Sequence, residues 1–206
     1  MNLASLITAV RRRVGITSTD ARAADADITE LVNEALAAIT TQEDWPWTET
    51  TRSFNTTAGT RGYATATRWV RTRQLQIDGS QPLEPESRRT LDYWFPTSTS
   101  TGTPLYWCVS GDQLRIYPTP DAVYTVTEVF FQYEPELSGT DTPLMPSWAH
   151  GSIVEWASSL LLTRLREDER AAVAMSRAQD WLKRMADDSR RSTPPLRIRV
   201  RSGSEV

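Results

Sequence analysis

One cysteine (Cys108), one histidine (His150) and one lysine (Lys183) are all that 206 residues hold of these three types. A lone cysteine excludes an internal disulfide. A single His with a single Cys leaves no zinc site of the usual four-ligand kind. "DADITE" at 25–30 spaces its acids closely but lacks the glycine and the terminal glutamate of a calcium loop. No glycine-rich phosphate loop occurs. No apolar run approaches the roughly 20 residues that a bilayer span needs. The first residues, "MNLASLITAVRRRVG", place their charges after the apolar positions, the reverse of a secretory signal. These absences predict a soluble protein of a reducing interior, with no cofactor, no metal and no membrane contact.

Catalytic chemistry is equally thin. His150 stands near a helix start with Ser147 and Ser152 close in sequence, but a nucleophile–base–acid set is recognised by geometry rather than by proximity along a chain. Packing or capping is the expected role of His150, and inert burial that of Cys108. Glu43, Asp44, Glu134, Glu136 and Asp141 could be paired as the acid and base of glycoside cleavage. Any acidic protein offers such pairs, and nothing singles these out. No catalytic residue is assigned.

What is present begins with charge. The formal net is −3, yet residues 190–206 hold Arg190, Arg191, Arg197, Arg199 and Arg201 against Glu205 alone. The remainder is therefore more acidic than the total suggests. Within this basic segment Leu196, Ile198 and Val200 alternate with Arg197, Arg199 and Arg201, the period of a strand with one apolar and one charged face. No turn and second strand follow, and a lone strand cannot satisfy its own backbone groups. The expectation is an extended tail, led in by Pro194-Pro195, that pairs with another chain. Five arginines without an interleaved aromatic make a small footprint for nucleic acid.

The rest of the chain divides into three stretches. "LASLITAVRRRVG" carries Leu3, Leu6, Ile7 and Val10 at helical spacing and stops at Gly15. "DITELVNEALAAITTQEDW" predicts a second helix, opened by Asp27 and Glu30 and closed by Pro46. From Thr48 to Tyr133 the helical period vanishes, and Thr, Tyr, Trp, Val and Phe predict strands. A hairpin is expected around Ala58-Gly59, another at Gly111-Asp112, a short helix over "SRRTLDYWF", and the longest strand over "YTVTEVFFQYEP". After Pro143 and Pro146 helices return. Ser147 is expected to cap one with Ile153, Trp156, Ala157, Leu160 and Leu161 on one face. Asp168 starts another, with Ala171, Met175, Ala178, Leu182 and Met185 at packing spacing and Lys183-Arg184 at its end.

The predicted class is α+β: a helical bundle from the N- and C-terminal helices (1–47 and 144–189), an inserted β-rich domain (48–143) and the basic tail (190–206). Eight tryptophans are many for this length. Trp45 and Trp47 in "DWPW" are expected to fill the joint between bundle and insertion. Trp69 and Trp94, set among charged residues, are the candidates for a subunit interface, where Trp and Arg are enriched.

The order of these signals resembles one family. "ITELVNEALAAITTQEDWPW", "PLEPESRRTLDYWF", "GTPLYW…LRIYPTPDAVYTVTEVFFQYEPELS" and "PLMPSWAHGSIVEWASSLLLTRL" follow one another as in the head-to-tail adaptor (connector) proteins of tailed bacteriophages, over roughly residues 3 to 188. The resemblance implies a virion structural protein, assembled in the host cytoplasm, without enzymatic activity. Such subunits form a ring, usually of twelve, beneath the portal protein and around the DNA channel. The partners implied are neighbouring copies, the portal, a downstream tail or stopper protein, and DNA passing without sequence-specific binding. The partner-interface residues assigned are Leu196, Arg197, Ile198, Arg199, Val200, Arg201, Trp69 and Trp94. Two other readings stay open: a tail-completion or stopper protein, and a virion-associated peptidoglycan hydrolase.

Overall fold

The computed structural model describes residues 1–20, 22–97 and 99–192, the side chains of Arg191 and Ser192 excepted. In chain order its elements are α1 (Leu3–Val14), α2 (Asp25–Thr40), β1 (Glu49–Asn55), β2 (Gly62–Ala64), β3 (Trp69–Ile77), β4 (Glu84–Pro85) and α3 (Arg88–Trp94). They continue with β5 (Thr101–Gly102), β6 (Tyr106–Ser110), β7 (Gln113–Tyr117), β8 (Thr119–Pro120), β9 (Thr125–Gln132), α4 (His150–Arg164) and α5 (Asp168–Ser192). The fold is mixed α+β. Two compact units divide inside α2: Leu3–Ala35 joins the chain from Ser147 onward, and Leu36–Pro146 forms the other.

The first unit is helical. Leu3, Leu6, Val10 and Val14 put one face of α1 in the core, and Gly15, at φ 84°, ends the helix. The N–H groups of Gly15 and Ile16 both donate to the Arg11 carbonyl (2.9 and 3.1 Å), closing the last turn as a left-handed glycine permits. Arg11 also lies on the buried stripe. Its guanidinium donates to Asp25 Oδ1 (2.8 Å) and to the carbonyls of Thr17 and Ala23 (2.7 Å each), so the charge is compensated. The second helix begins at Asp25, two residues before the expected Asp27. Asp27 instead reaches back, accepting the Ala24 N–H at 3.1 Å as the third residue of a capping box does.

Two further expectations fail in this unit. Ser147 does not cap α4; it opens a 3-10 turn over Ser147–Ala149, and Ala149 holds the cap position without a side-chain bond. Nor does α4 show one apolar face. It packs on both α1 and α5, so Ser152, Glu155, Ser158 and Ser159 are buried along with Ile153, Ala157 and Leu161. A helix with neighbours on several sides loses the amphipathic pattern that solvent imposes. The expected packing positions Ala171, Ala178 and Met185 of α5 are buried. That helix runs on to Ser192, so Lys183-Arg184 lie more than a turn before its end and residues 190–192 are helical.

The second unit is β-rich. β9 lies between β1 and β3 in an antiparallel sheet, β2-β7-β6-β4 form a mixed sheet, and β5 pairs with β8. Leu75, Ile77 and Val126 of the first sheet share a core with Trp107, Leu114 and Ile116 of the second. Complete burial of Leu114 and Ile116 contributes about 1.5–3 kcal/mol each. The hairpin at Gly111-Asp112 is present, with Ser110 opposite Gln113 and Gly111 at φ 61°. The hairpin at Ala58-Gly59 is not. β1 pairs with β9 from Glu49↔Phe131 to Asn55↔Thr125, while β2 pairs with β7. β9 buries Val126, Glu128, Phe130 and Phe131 and needs a partner at each edge for its backbone groups; its seven-residue match to β1 outweighs three residues of β2. At eight residues β9 is also shorter than β3, which has nine. Trp45 is fully buried, donates to the Ile39 carbonyl at 2.8 Å and stacks on Trp47 at 4.8 Å.

Candidate assembly surfaces

Several of the groups with catalytic potential are bonded or buried within local structure. His150 is buried, with Nδ1 2.7 Å from the Met1 amino nitrogen. Ser152 donates to the Ala149 carbonyl at 2.7 Å. Burial pushes the Cys108 thiol above its ordinary pKa, which holds it in the poorly nucleophilic protonated form. Asp44 pairs with Arg71, Asp141 accepts from Ser138, and Glu134 accepts the Leu144 N–H. Among the described residues no group of three His, Cys, Asp or Glu side chains is arranged to hold a metal ion. No described helix is long and apolar enough to cross a membrane.

Trp69 and Trp94 sit differently. Trp69, half-buried at the start of β3, donates from Nε1 to Thr72 Oγ1 at 3.0 Å. Thr72 donates to Glu128 Oε1 (2.5 Å), and Arg52 Nε donates to Glu128 Oε2 (2.6 Å). This chain of bonds crosses β3, β9 and β1 and satisfies a carboxylate that is fully buried. Beside it lies a depression of about 340 Å³ walled by Trp69, Arg71, Arg88 and Trp107. Trp94 is on the surface, 48% exposed, with Tyr93 beside it at 83%. Their helix is held from below. Leu91 is fully buried, Ser87 caps the start, and Asp92 accepts from the buried Tyr117 hydroxyl at 3.1 Å. Arg61 lies 4.5 Å over the Tyr117 ring and donates to the Thr97 carbonyl at 2.7 Å. The helix under these two exposed rings is anchored, and Trp94 also packs against the Tyr106 ring at 5.4 Å. The structure does not bring Trp69 and Trp94 into one contact with each other. Leu196, Arg197, Ile198, Arg199, Val200 and Arg201 lie outside the described residues.

The helical unit carries a groove of about 370 Å³ that sequence reading missed. Arg13, Arg170 and Arg177 surround it, Leu162 and Val173 supply apolar surface, and Glu169 stands at its rim. Arg13 is fixed by Glu155 at 2.6 Å, and Arg170 by the Val14 carbonyl at 2.7 Å and by Glu167. The only trace in the sequence is Arg170, Val173 and Arg177 at helical spacing; Arg13 reaches them from more than 150 residues away along the chain.

The described fold, with its helical and β-rich units, lies within the span of one known family: the SU10 adaptor protein family matches residues 1–199. The chain belongs to this family. Among curated proteins none matches it. The adaptor-family match agrees with the resemblance read from the sequence and extends it. It takes in Leu196, Arg197, Ile198 and Arg199, so the basic segment lies largely inside the family's span rather than beyond it.

Proposed function

We propose that the protein is the head-to-tail adaptor of a tailed bacteriophage, a non-enzymatic virion component that joins the portal to the tail. The observation that carries this reading is the SU10 adaptor family match over residues 1–199. On this reading residues 1–47 and 144–189 act as a helical bundle bearing the β-rich insertion 48–143. Copies assemble, during virion formation in the host cytoplasm, as a ring of twelve that docks beneath the portal and continues the DNA channel. A closed ring requires each subunit to offer two different surfaces to its neighbours. The exposed aromatic pair Tyr93–Trp94 and the basic segment 190–206 are further candidates for contacts with the portal, a neighbour or a downstream tail protein. An acidic body fits passage of DNA without adhesion, because carboxylate and phosphate repel.

The test is to mix the purified protein with the portal ring of its phage and weigh the product by mass photometry, beside a version ending at Ser192. Twelve subunits of 23.2 kDa add about 280 kDa to a symmetric ring. A gain of that size, weakened by truncation, supports the adaptor reading and the docking tail together. A gain that survives truncation keeps the adaptor and removes the tail's role. No gain with either version places the protein further down the tail.

A further inference from the structure

Arg177 is exposed at the groove between α1, α4 and α5 and makes no hydrogen bond or ion pair with any described residue. Arg13 is ion-paired with Glu155 and Arg170 with Glu167, and Glu169 also lines the groove, so Arg177 is the groove arginine left without a carboxylate partner among the described residues. Val173, 52% exposed, lies among these arginines. Arg170 and Arg177 are seven residues apart, about 10 Å along the helix axis. Charge around an apolar floor does not suit a nucleic-acid backbone, which asks for cations without a hydrophobic surface to cover. It suits a protein helix that carries carboxylates beside small side chains.

One such helix is in the same chain. On α2 the exposed positions Ala26, Glu30 and Glu34 fall at four-residue steps on the face opposite the buried Ile28, Leu31, Val32 and Ala35. The carboxylates of Glu30 and Glu34 make no hydrogen bond or ion pair with described residues. From Ala26 to Glu34 is about 12 Å along the axis, close to the span of the two α5 arginines. No residue of α2 lines the groove, so ridge and groove are separate surfaces of one unit.

We propose that the Ala26–Glu30–Glu34 ridge of one copy seats in the Arg13–Arg170–Arg177 groove of a second copy. Glu30 and Glu34 meet the arginines, and the small Ala26 lets the helix close over Val173. The contact is heterologous: each subunit uses its ridge on one neighbour and its groove on the other, as a closed ring requires. It rests on the ring reading given above and names the surfaces that close the ring.

Charge reversal tests it. The variants are Glu30→Arg with Glu34→Arg, Arg177→Glu, and all three substitutions together, in the full chain. None removes a bond within the subunit, so all should melt as the wild type does. Assembly is followed by mass photometry over a concentration series, free and on the portal ring. Each single-surface reversal should raise the concentration for half-assembly at least tenfold, and the combined variant should recover most of the loss. Should a reversed chain fold poorly, Glu34→Gln and Arg177→Gln should shift assembly the same way by less. Assembly unchanged by either reversal overturns the contact and leaves the ring intact. Loss without recovery in the combined variant overturns the pairing of ridge with groove. A wild-type chain that stays monomeric alone and on its portal overturns the ring reading and this contact with it.

Discussion

A β-carbon at Gly151 would lie 2.8 Å from Cζ2 of Trp181. The glycine of α4 and the indole of α5 are in direct contact, and the two helices approach as closely as a missing side chain allows. Gly151→Val should therefore drive the ring outward and cost about 2 kcal/mol, as overpacking typically does. Thermal melts should show the loss, and adding Trp181→Leu, which vacates the space, should return part of it. Equal stability of Gly151→Val and wild type would mean that the helices shift apart freely.

Arg52 holds Glu128 in the sheet core. The carboxylate is fully buried, and Arg52 Nε lies 2.6 Å from Oε2. Removing one partner of a buried pair strands the other, so Arg52→Ala should cost about 3 kcal/mol in urea unfolding. The double variant Arg52→Ala with Glu128→Leu should be more stable than Arg52→Ala alone. If it is less stable, the pair contributes packing rather than charge compensation.

Arg13 serves two ends: it lines the groove and bonds the buried Glu155 at 2.6 Å. Because the arginine itself is half exposed, Arg13→Ala should cost about 2 kcal/mol of stability. Glu155 Oε2 already has no hydrogen-bond partner among the described residues. Adding Glu155→Gln should restore part of the loss, and a melt unaffected by Arg13→Ala would show that water satisfies the carboxylate.

Glu134 gives the stability a pH-dependent component of known sign. Burial raises its pKa from the ordinary 4.5, against the opposing bonds from the Leu144 and Met145 N–H groups and the charge of Arg68. A carboxyl whose folded value is raised binds more protons folded than unfolded in that window. Its contribution is full below about 4.5, where both states are protonated, and is lost as pH rises through the folded value. The wild type minus Glu134→Gln difference in unfolding free energy should therefore fall as pH rises from 4 upward. A difference that rises would show the backbone bonds outweighing burial. Asp20 acts in the opposite direction. The Arg22 side chain and N–H lower it to about 2, so its contribution is present at neutral pH and is lost as pH falls toward 2.

Cys108 should react slowly with a disulfide reagent at neutral pH in the native protein and at an ordinary thiol rate in denaturant, since burial both shields it and raises its pKa. Fast native labelling would mean that β6 opens readily.

Elements with a local cause were legible in the residues. Gly15 ends α1, the short α3 falls within "SRRTLDYWF", and Gly111 turns the β6–β7 hairpin, because each acts through a turn of its own backbone. The stripe of α2 and the periodic positions of α5 follow from having one buried face. The order of these elements was enough to indicate the adaptor family.

Tertiary structure decided what depends on partners distant in the chain. β1 turned to β9 rather than to β2 because a buried central strand needs both edges paired. α4 lost its amphipathic signature because two helices cover it. Glu128 could be buried only where Arg52 and Thr72 arrive from two other strands. The groove became visible only when Arg13 met Arg170 and Arg177. Sequence periodicity records whether a side chain faces solvent or core, a property of its own element. Which charges meet is set by packing between elements, and no local pattern encodes that.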